Sequence, residues 1–226
     1  MKARLSREES SGLSLTLLLF LLVIATWVFG SIAEDVFTND PLTIIDARFS
    51  AWLHGHTLPL LTQGMLLITR VHSLLGVTVM TLAVFAYLWI KRLRVWMLML
   101  TVAVFGGMLL NLILKYAFVR QRPQPSEPLL TLTTYSFPSG HTLMATVFYG
   151  TLCALLAPRT RYWRWRLTTI AVAAVMIILV GFSRIYLGAH YLSDVLAAIA
   201  EGLAWLAFCF IAIGGHDRRQ RRPQQR

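Results

Sequence analysis

The sequence predicts an all-α fold: a polytopic membrane protein of six transmembrane helices with a short interfacial helix on the outer side. Of its 226 residues, 57% are hydrophobic and only 14% charged, whereas about a quarter of the residues in a soluble domain are charged. Six stretches are apolar over roughly the 17 to 25 residues that cross the hydrocarbon as a helix. The basic residues gather in clusters between those stretches, on one side of a six-span arrangement, as the positive-inside rule requires of cytoplasmic loops.

Span one is expected at about 13 to 33, behind Lys2, Arg4 and Arg7. It reads as a retained signal anchor, because its apolar run is too long for a cleaved signal and no small-x-small cleavage site follows. The outer segment 34–72 comes next. Within it Ile45, Phe49, Trp52 and Leu53 line one face of a helix and Asp46, Arg48 and Ser50 the other, which predicts a helix lying along the outer leaflet. A second short helix is expected near 58–70, with Pro59 at its start. His54 and His56 form a His-x-His pair but lack carboxylate or cysteine partners at ligand spacing, so no metal site is assigned.

Span two is expected at 73–90 and span three at 96–114, followed by an outer loop over 119–140. Pro123, Pro125, Pro128 and Pro138 keep that loop from being helical throughout. Span four is placed at 142–157, span five at 167–182, a shorter outer loop at 183–194 and span six at 195–213. These make one membrane domain, 1–213, with a basic, Gln-rich cytoplasmic tail, 214–226, that is expected to be disordered. Cys153 and Cys209 fall inside spans and read as small apolar residues. Gly106, Gly107, Ala197 and Ala198 form small-residue faces able to pack within one bundle or between chains, so the oligomeric state stays open.

The net charge of +11 would suit a nucleic acid, but its placement answers to topology instead. Fifteen of the 21 Lys and Arg fall before span one, after span two, after span four and after span six. An even span count then puts both termini in the cytoplasm, and nucleic acid is excluded as a partner. Six basic residues lie on the other face: Arg48, Arg70, Lys115, Arg120, Arg122 and Arg184. Arg48, Arg70 and Arg120 are read as snorkelling towards headgroups. Glu201, two turns below Asp194 in span six, is read as an internal hydrogen-bonding group.

The other three basic residues sit in strings that snorkelling does not explain. Lys115 precedes Arg122-Pro123; Pro138-Ser139-Gly140-His141 opens span four; Ser183-Arg184 precedes His190 and Asp194. A phosphate ester needs its charge held, and its leaving oxygen needs a proton as the bond breaks. Lys115, Arg122 and Arg184 suit the first task. Ser139 offers a hydroxyl, and Gly140 leaves its amide uncovered at a helix N-terminus, where an anion is favoured. Residues four apart face each other in a helical turn, so Asp194 is expected to accept from one nitrogen of His190 and leave the other free to attack phosphorus. His141 is left as the general acid, and as the base for the water that follows.

These three strings, K-x6-R-P, P-S-G-H and S-R-x5-H-x3-D, resemble the signature of the type 2 phosphatidic acid phosphatase superfamily, without gaps from Lys115 to Asp194. The resemblance implies a metal-independent, cofactor-free phosphatase with a phosphohistidine intermediate. It implies His190 as nucleophile oriented by Asp194, His141 as acid and base, and Lys115, Arg122, Ser139, Gly140 and Arg184 as the phosphate cradle. Its bacterial members imply a lipid phosphate or diphosphate substrate handled at the outer face of the inner membrane. Undecaprenyl diphosphate is the first expectation; phosphatidylglycerol phosphate, phosphatidic acid and lipid A phosphates are the alternatives. A non-enzymatic lipid-binding or transport protein would not require a carboxylate-oriented histidine, and a lipid phosphotransferase would differ only in its acceptor.

Overall fold

The computed structural model describes residues 7–38, 41–123 and 134–221, with side chains over 14–38, 41–123 and 134–214. Lys2 and Arg4, Asp40, Pro125 and Pro128, and the tail from 222 lie outside the described residues. Among those described, every regular element is helical. In chain order they are α1 (Arg7–Thr38), α2 (Pro41–His54), α3 (Pro59–Val71), α4 (Leu74–Ile90), α5 (Arg94–Thr101), a π turn (Val102–Gly106), α6 (Gly107–Phe118), α7 (Gly140–Leu156), a 3-10 turn (Ala157–Arg159), α8 (Trp163–Tyr186) and α9 (Leu192–Arg221).

Among the described residues, five helical rods are long and apolar enough to cross a bilayer: α1, the α5–α6 rod, α7, α8 and α9. The sixth expected span is α4, which reaches that length only together with α3, and the two are bent by 54°. The bend has a local cause. Ser73 caps α4 by accepting from the Gly76 amide at 3.3 Å, so the chain leaves α3 and restarts rather than running through. At the end of α3, His72 reaches from the Ile68 carbonyl (2.9 Å) to the Tyr149 hydroxyl on α7 (2.8 Å) and ties the bend to the bundle.

The helices exceed the expected spans at several ends. Ser183 and Arg184, expected in a loop, belong to α8: the Leu187 amide still donates to the Ser183 carbonyl at 3.1 Å, and the turn closes with Gly188 at φ 70°. Glycine takes that left-handed conformation without the Cβ strain other residues incur. The outer loop therefore shrinks to 187–191. At the other end α9 continues to Arg221, so segment 214–221, expected to lack structure, prolongs the last helix.

The bundle is inside out relative to a soluble protein. Phe20, Trp27, Trp89 and Ile178 are largely exposed, while Asp46, Asn111, Lys115, Arg184, Asp194 and Glu201 are buried. Lipid accepts apolar side chains as readily as a core does, and it cannot hydrogen-bond a polar one. Helix α2 follows the same logic. Asp46, Ser50 and Leu53 turn inward, whereas Ile45 and Trp52 face out; Leu53 thus leaves the apolar face on which the sequence placed it, and Asp46 and Ser50 are not the solvated side. Arg48 and Arg70 are exposed, as snorkelling requires.

Gly106 and Gly107 pack within the bundle rather than against another chain. A Cβ at Gly106 would lie 2.4 Å from the Trp205 ring, and the Trp205 indole N–H donates to the carbonyls of Val102 (3.3 Å) and Ala103 (3.1 Å). The π turn breaks the regular ladder, and the indole adds a side-chain donor to the carbonyls at its start. Gly106→Ala is accordingly expected to destabilise the protein by about 1–3 kcal/mol through overpacking. Thermal unfolding in detergent would measure this, and an unchanged midpoint would show that Trp205 gives way freely.

Candidate active site

The three motif strings converge at one end of the bundle. Lys115 stands on the last turn of α6, Arg122 in the extended chain just after it, Ser139 caps α7, Gly140 and His141 open α7, Arg184 ends α8, His190 lies in the 187–191 loop, and Asp194 is in the first turn of α9. The Ser139 amide donates to the Asp194 backbone carbonyl at 3.1 Å, which joins the starts of α7 and α9.

Lys115 Nζ donates to the carbonyl of Tyr135 (2.7 Å) and lies 3.4 Å from that of Ser136. Arg122 shares the Tyr135 carbonyl at 3.1 Å and also donates to the carbonyls of Thr134 and Ala189, each at 2.6 Å. Arg184, 2% exposed, donates from Nη1 to the Thr69 hydroxyl of α3 at 2.7 Å, while its Nε has no partner. Among the described residues no carboxylate lies within 4 Å of these three cations. Buried charges without counter-ions, here Lys115 and Arg184 with the half-buried Arg122 near them, are costly unless an anion joins them. The arrangement is therefore built for one.

His190 is 2% exposed. Its Nε2 lies 3.3 Å from Arg122 Nη1. A guanidinium has no acceptor, so Nε2 must be the acceptor and the ring proton sits on Nδ1. That nitrogen is 3.4 Å from Asp194 Oδ2, a long contact that does not meet hydrogen-bond geometry, and it has no other partner. The expected His190–Asp194 pairing is thus present as a contact, although it joins a loop to a helix start rather than spanning one helical turn. Burial holds the imidazole pKa far below its ordinary value, to about 3, against the opposing pull of Asp194. At neutral pH the ring is neutral, with a lone pair on the nitrogen facing the cations.

Asp194 is saturated with donors. Oδ2 accepts from the Tyr191 amide at 2.9 Å and from the Ser136 hydroxyl, and Oδ1 from Arg120 at 2.6 Å. The Tyr191 contact is half of a capping box, in which the third residue of α9 reaches back to the amide before the helix. Arg120 corrects the sequence reading: instead of snorkelling, it lies between Asp194 and Asp46, 2.8 Å from the latter. Burial alone would lower its pKa, but Asp194 and Asp46 outweigh that and raise it.

One expected cradle residue has its side chain engaged otherwise. The Ser139 hydroxyl pairs with that of Thr142 at 2.9 Å. Gly140 offers open backbone, with Asn111 and the Lys115 stem beside the position a Cβ would take. His141 is half-buried and has no side-chain hydrogen bond among the described residues. Glu201 accepts from Asn111 at 3.1 Å, which supports an internal hydrogen-bonding role, and its second oxygen has no partner. His54 and His56 bond the carbonyls of Ser50 and Trp52 on α2. Sequence reasoning missed Asp46, Thr69, Arg120, Ser136 and Ser193. One signal was available for Arg120, since alternate residues of an extended chain face the same way and Arg122 was already assigned.

The profile described as the PAP2 superfamily matches residues 95–218. A phosphatidylglycerophosphatase B of Bacillus subtilis (strain 168) is 33% identical over 135 residues, 59% of this chain and 64% of that protein. An undecaprenyl-diphosphatase of Sulfolobus acidocaldarius is 32% identical over 128 residues, 54% and 57% of the two chains. The matched region thus spans less than two thirds of the length of these curated relatives. Among solved structures, the transmembrane PAP2 type phosphatidylglycerolphosphate phosphatase from Bacillus subtilis superimposes with a TM-score of 0.76 at 28% identity, over 88% of this chain and 97% of that one.

Proposed function

The chain belongs to the PAP2 superfamily, and we propose that it hydrolyses a lipid phosphate ester or diphosphate at a membrane surface by attack of His190 on phosphorus. The observation that carries this is the Arg122–His190 contact, which turns the Nε2 lone pair towards Arg122, one of three cations with no carboxylate within 4 Å among the described residues. Lys115, Arg122 and Arg184 hold the phosphate oxygens, with the unpartnered Arg184 Nε as a ready donor, and Gly140 at the start of α7 adds a backbone amide. As Nε2 bonds to phosphorus, positive charge develops on the ring, and Asp194 closes its contact with Nδ1–H to stabilise it. His141 gives a proton to the leaving oxygen. It then takes one from the water that hydrolyses the phosphohistidine.

The fixed cations supply the charge compensation a metal ion would otherwise provide, so the reaction is metal-independent in this reading. In this reading both termini lie in the cytoplasm and the site at the outer face of a bacterial inner membrane, which the arginine clusters support. Undecaprenyl diphosphate, which is released in the outer leaflet, is the first choice of substrate. The kinship to a phosphatidylglycerophosphatase B favours phosphatidylglycerol phosphate as the second. Side-by-side rates in EDTA on undecaprenyl diphosphate, phosphatidylglycerol phosphate and phosphatidic acid are expected to show the highest kcat/KM for the first. A preference for a glycerophospholipid would reverse that choice, and no phosphate release from any of the three would sink the phosphatase reading.

A further inference from the structure

Asp46 stands outside all three motif strings, on a helix the reaction does not otherwise use, yet it is 1% exposed. Its Oδ1 accepts the Ser193 amide at 3.0 Å, its Oδ2 accepts the Ser193 hydroxyl, and Arg120 Nη2 reaches Oδ2 at 2.8 Å. The other arm of the same guanidinium, Nη1, bonds Asp194 Oδ1 at 2.6 Å and Ser193 Oγ at 2.7 Å. The Tyr191 ring lies against the guanidinium, 4.5 Å from its centroid. Arg120 is therefore divided between two carboxylates, one arm to each. Asp194 has only Oδ1 occupied by a full charge, and Oδ2 keeps its side towards His190 Nδ1.

We propose that Asp46 is a positioning residue for the reaction, acting through Arg120 to keep the charge of Asp194 available to His190. An unshared guanidinium pairs with a carboxylate through both arms, two parallel N–H bonds to its two oxygens. With Asp46 neutral, Arg120 closes on Asp194 in that way, takes Oδ2 as well, and competes with the imidazolium that forms during attack. The lipid-bordering helix α2 is then part of the electrostatics of the site. This rests on the phosphohistidine reading above.

The test is Asp46→Asn in the detergent-solubilised full chain, assayed on undecaprenyl diphosphate alone and combined with Arg120→Gln, beside His190→Ala. Orienting partners of a reacting group are worth about 10–100-fold. Asp46→Asn is expected to lower kcat at least about tenfold with KM held within about twofold, and to cause no further loss in the Arg120→Gln background. Unchanged kcat overturns the proposal. So does an equal loss in both backgrounds, which would leave Asp46 only the task of capping α9 through Ser193. If Asp46→Asn does not elute as a single folded species, Asp46→Ser, which is also neutral and smaller, decides the matter. Loss of kcat at constant KM supports the relay, and wild-type kcat overturns it. Wild-type activity in His190→Ala would bring down the underlying reading and this proposal together, whereas a dead His190→Ala with an unaffected Asp46→Asn removes this proposal alone.

Discussion

His190→Ala is expected to reduce lipid phosphate release by roughly 10⁴-fold or more, the scale on which removing an attacking side chain disables a covalent mechanism. The side chain is buried and makes few bonds: a 3.3 Å contact to Arg122 from one nitrogen and a 3.4 Å contact to Asp194 from the other. The loop that carries it is held mainly by backbone bonds, those of the Ala189 and His190 amides to the Arg184 carbonyl. Truncation should therefore leave the fold standing, with an unchanged elution profile and a thermal midpoint near that of the parent. The assay is phosphate release in EDTA. Full activity in the variant would remove His190 from the chemistry, and a strict requirement for added metal in the parent would replace the mechanism.

Asp194→Asn is expected to cost about 10³–10⁴-fold, as removal of the orienting carboxylate does in hydrolase triads. Two effects act together. The amide no longer stabilises an imidazolium, and it can present its NH2 to the nitrogen that should itself donate. It also turns towards donors: Arg120, the Tyr191 amide and the Ser136 hydroxyl all give hydrogen bonds to this side chain, so one must lose its acceptor. The loss should fall on kcat rather than KM, because the three cations proposed to hold phosphate do not contact Asp194. A variant with normal kcat and weakened binding would assign Asp194 to the substrate cradle instead.

The parts of this site that were legible in the sequence are those whose chemistry demands a residue type within a short string. Lys115, Arg122, Arg184, His190 and Asp194 are of this kind, and the fold brings their strings to one end of the bundle. Asp46 was not legible, because its meaning lies in a pairing with Arg120 across 74 residues. The helical pattern around Asp46 was also ambiguous in a physical sense. An amphipathic helix in water turns its polar side out, but a helix bordered by lipid turns it in, and only the bundle decides which solvent α2 meets. The end of α8 was misplaced for a related reason. Ser183 and Arg184 have the polarity of a loop, but the Ser183 hydroxyl bonds the Val180 carbonyl of its own helix and Arg184 reaches Thr69, so both are satisfied inside the bundle.

The seating of Trp205 against the π turn also sets a distance. Helices in lipid slide along one another at little cost where both surfaces are smooth and apolar, and a slip of one turn is about 5.4 Å. The indole bonds to two main-chain carbonyls and fills the space beside Gly106, so the α5–α6 rod has a fixed axial registry against α9. Val102 lies about 20 Å below Lys115 along one rod, and Trp205 about 16 Å below Asp194 along the other. The relative height of the Lys115 ammonium and the Asp194 carboxylate at one end of the bundle is thus determined deep within it, by a ring that touches neither.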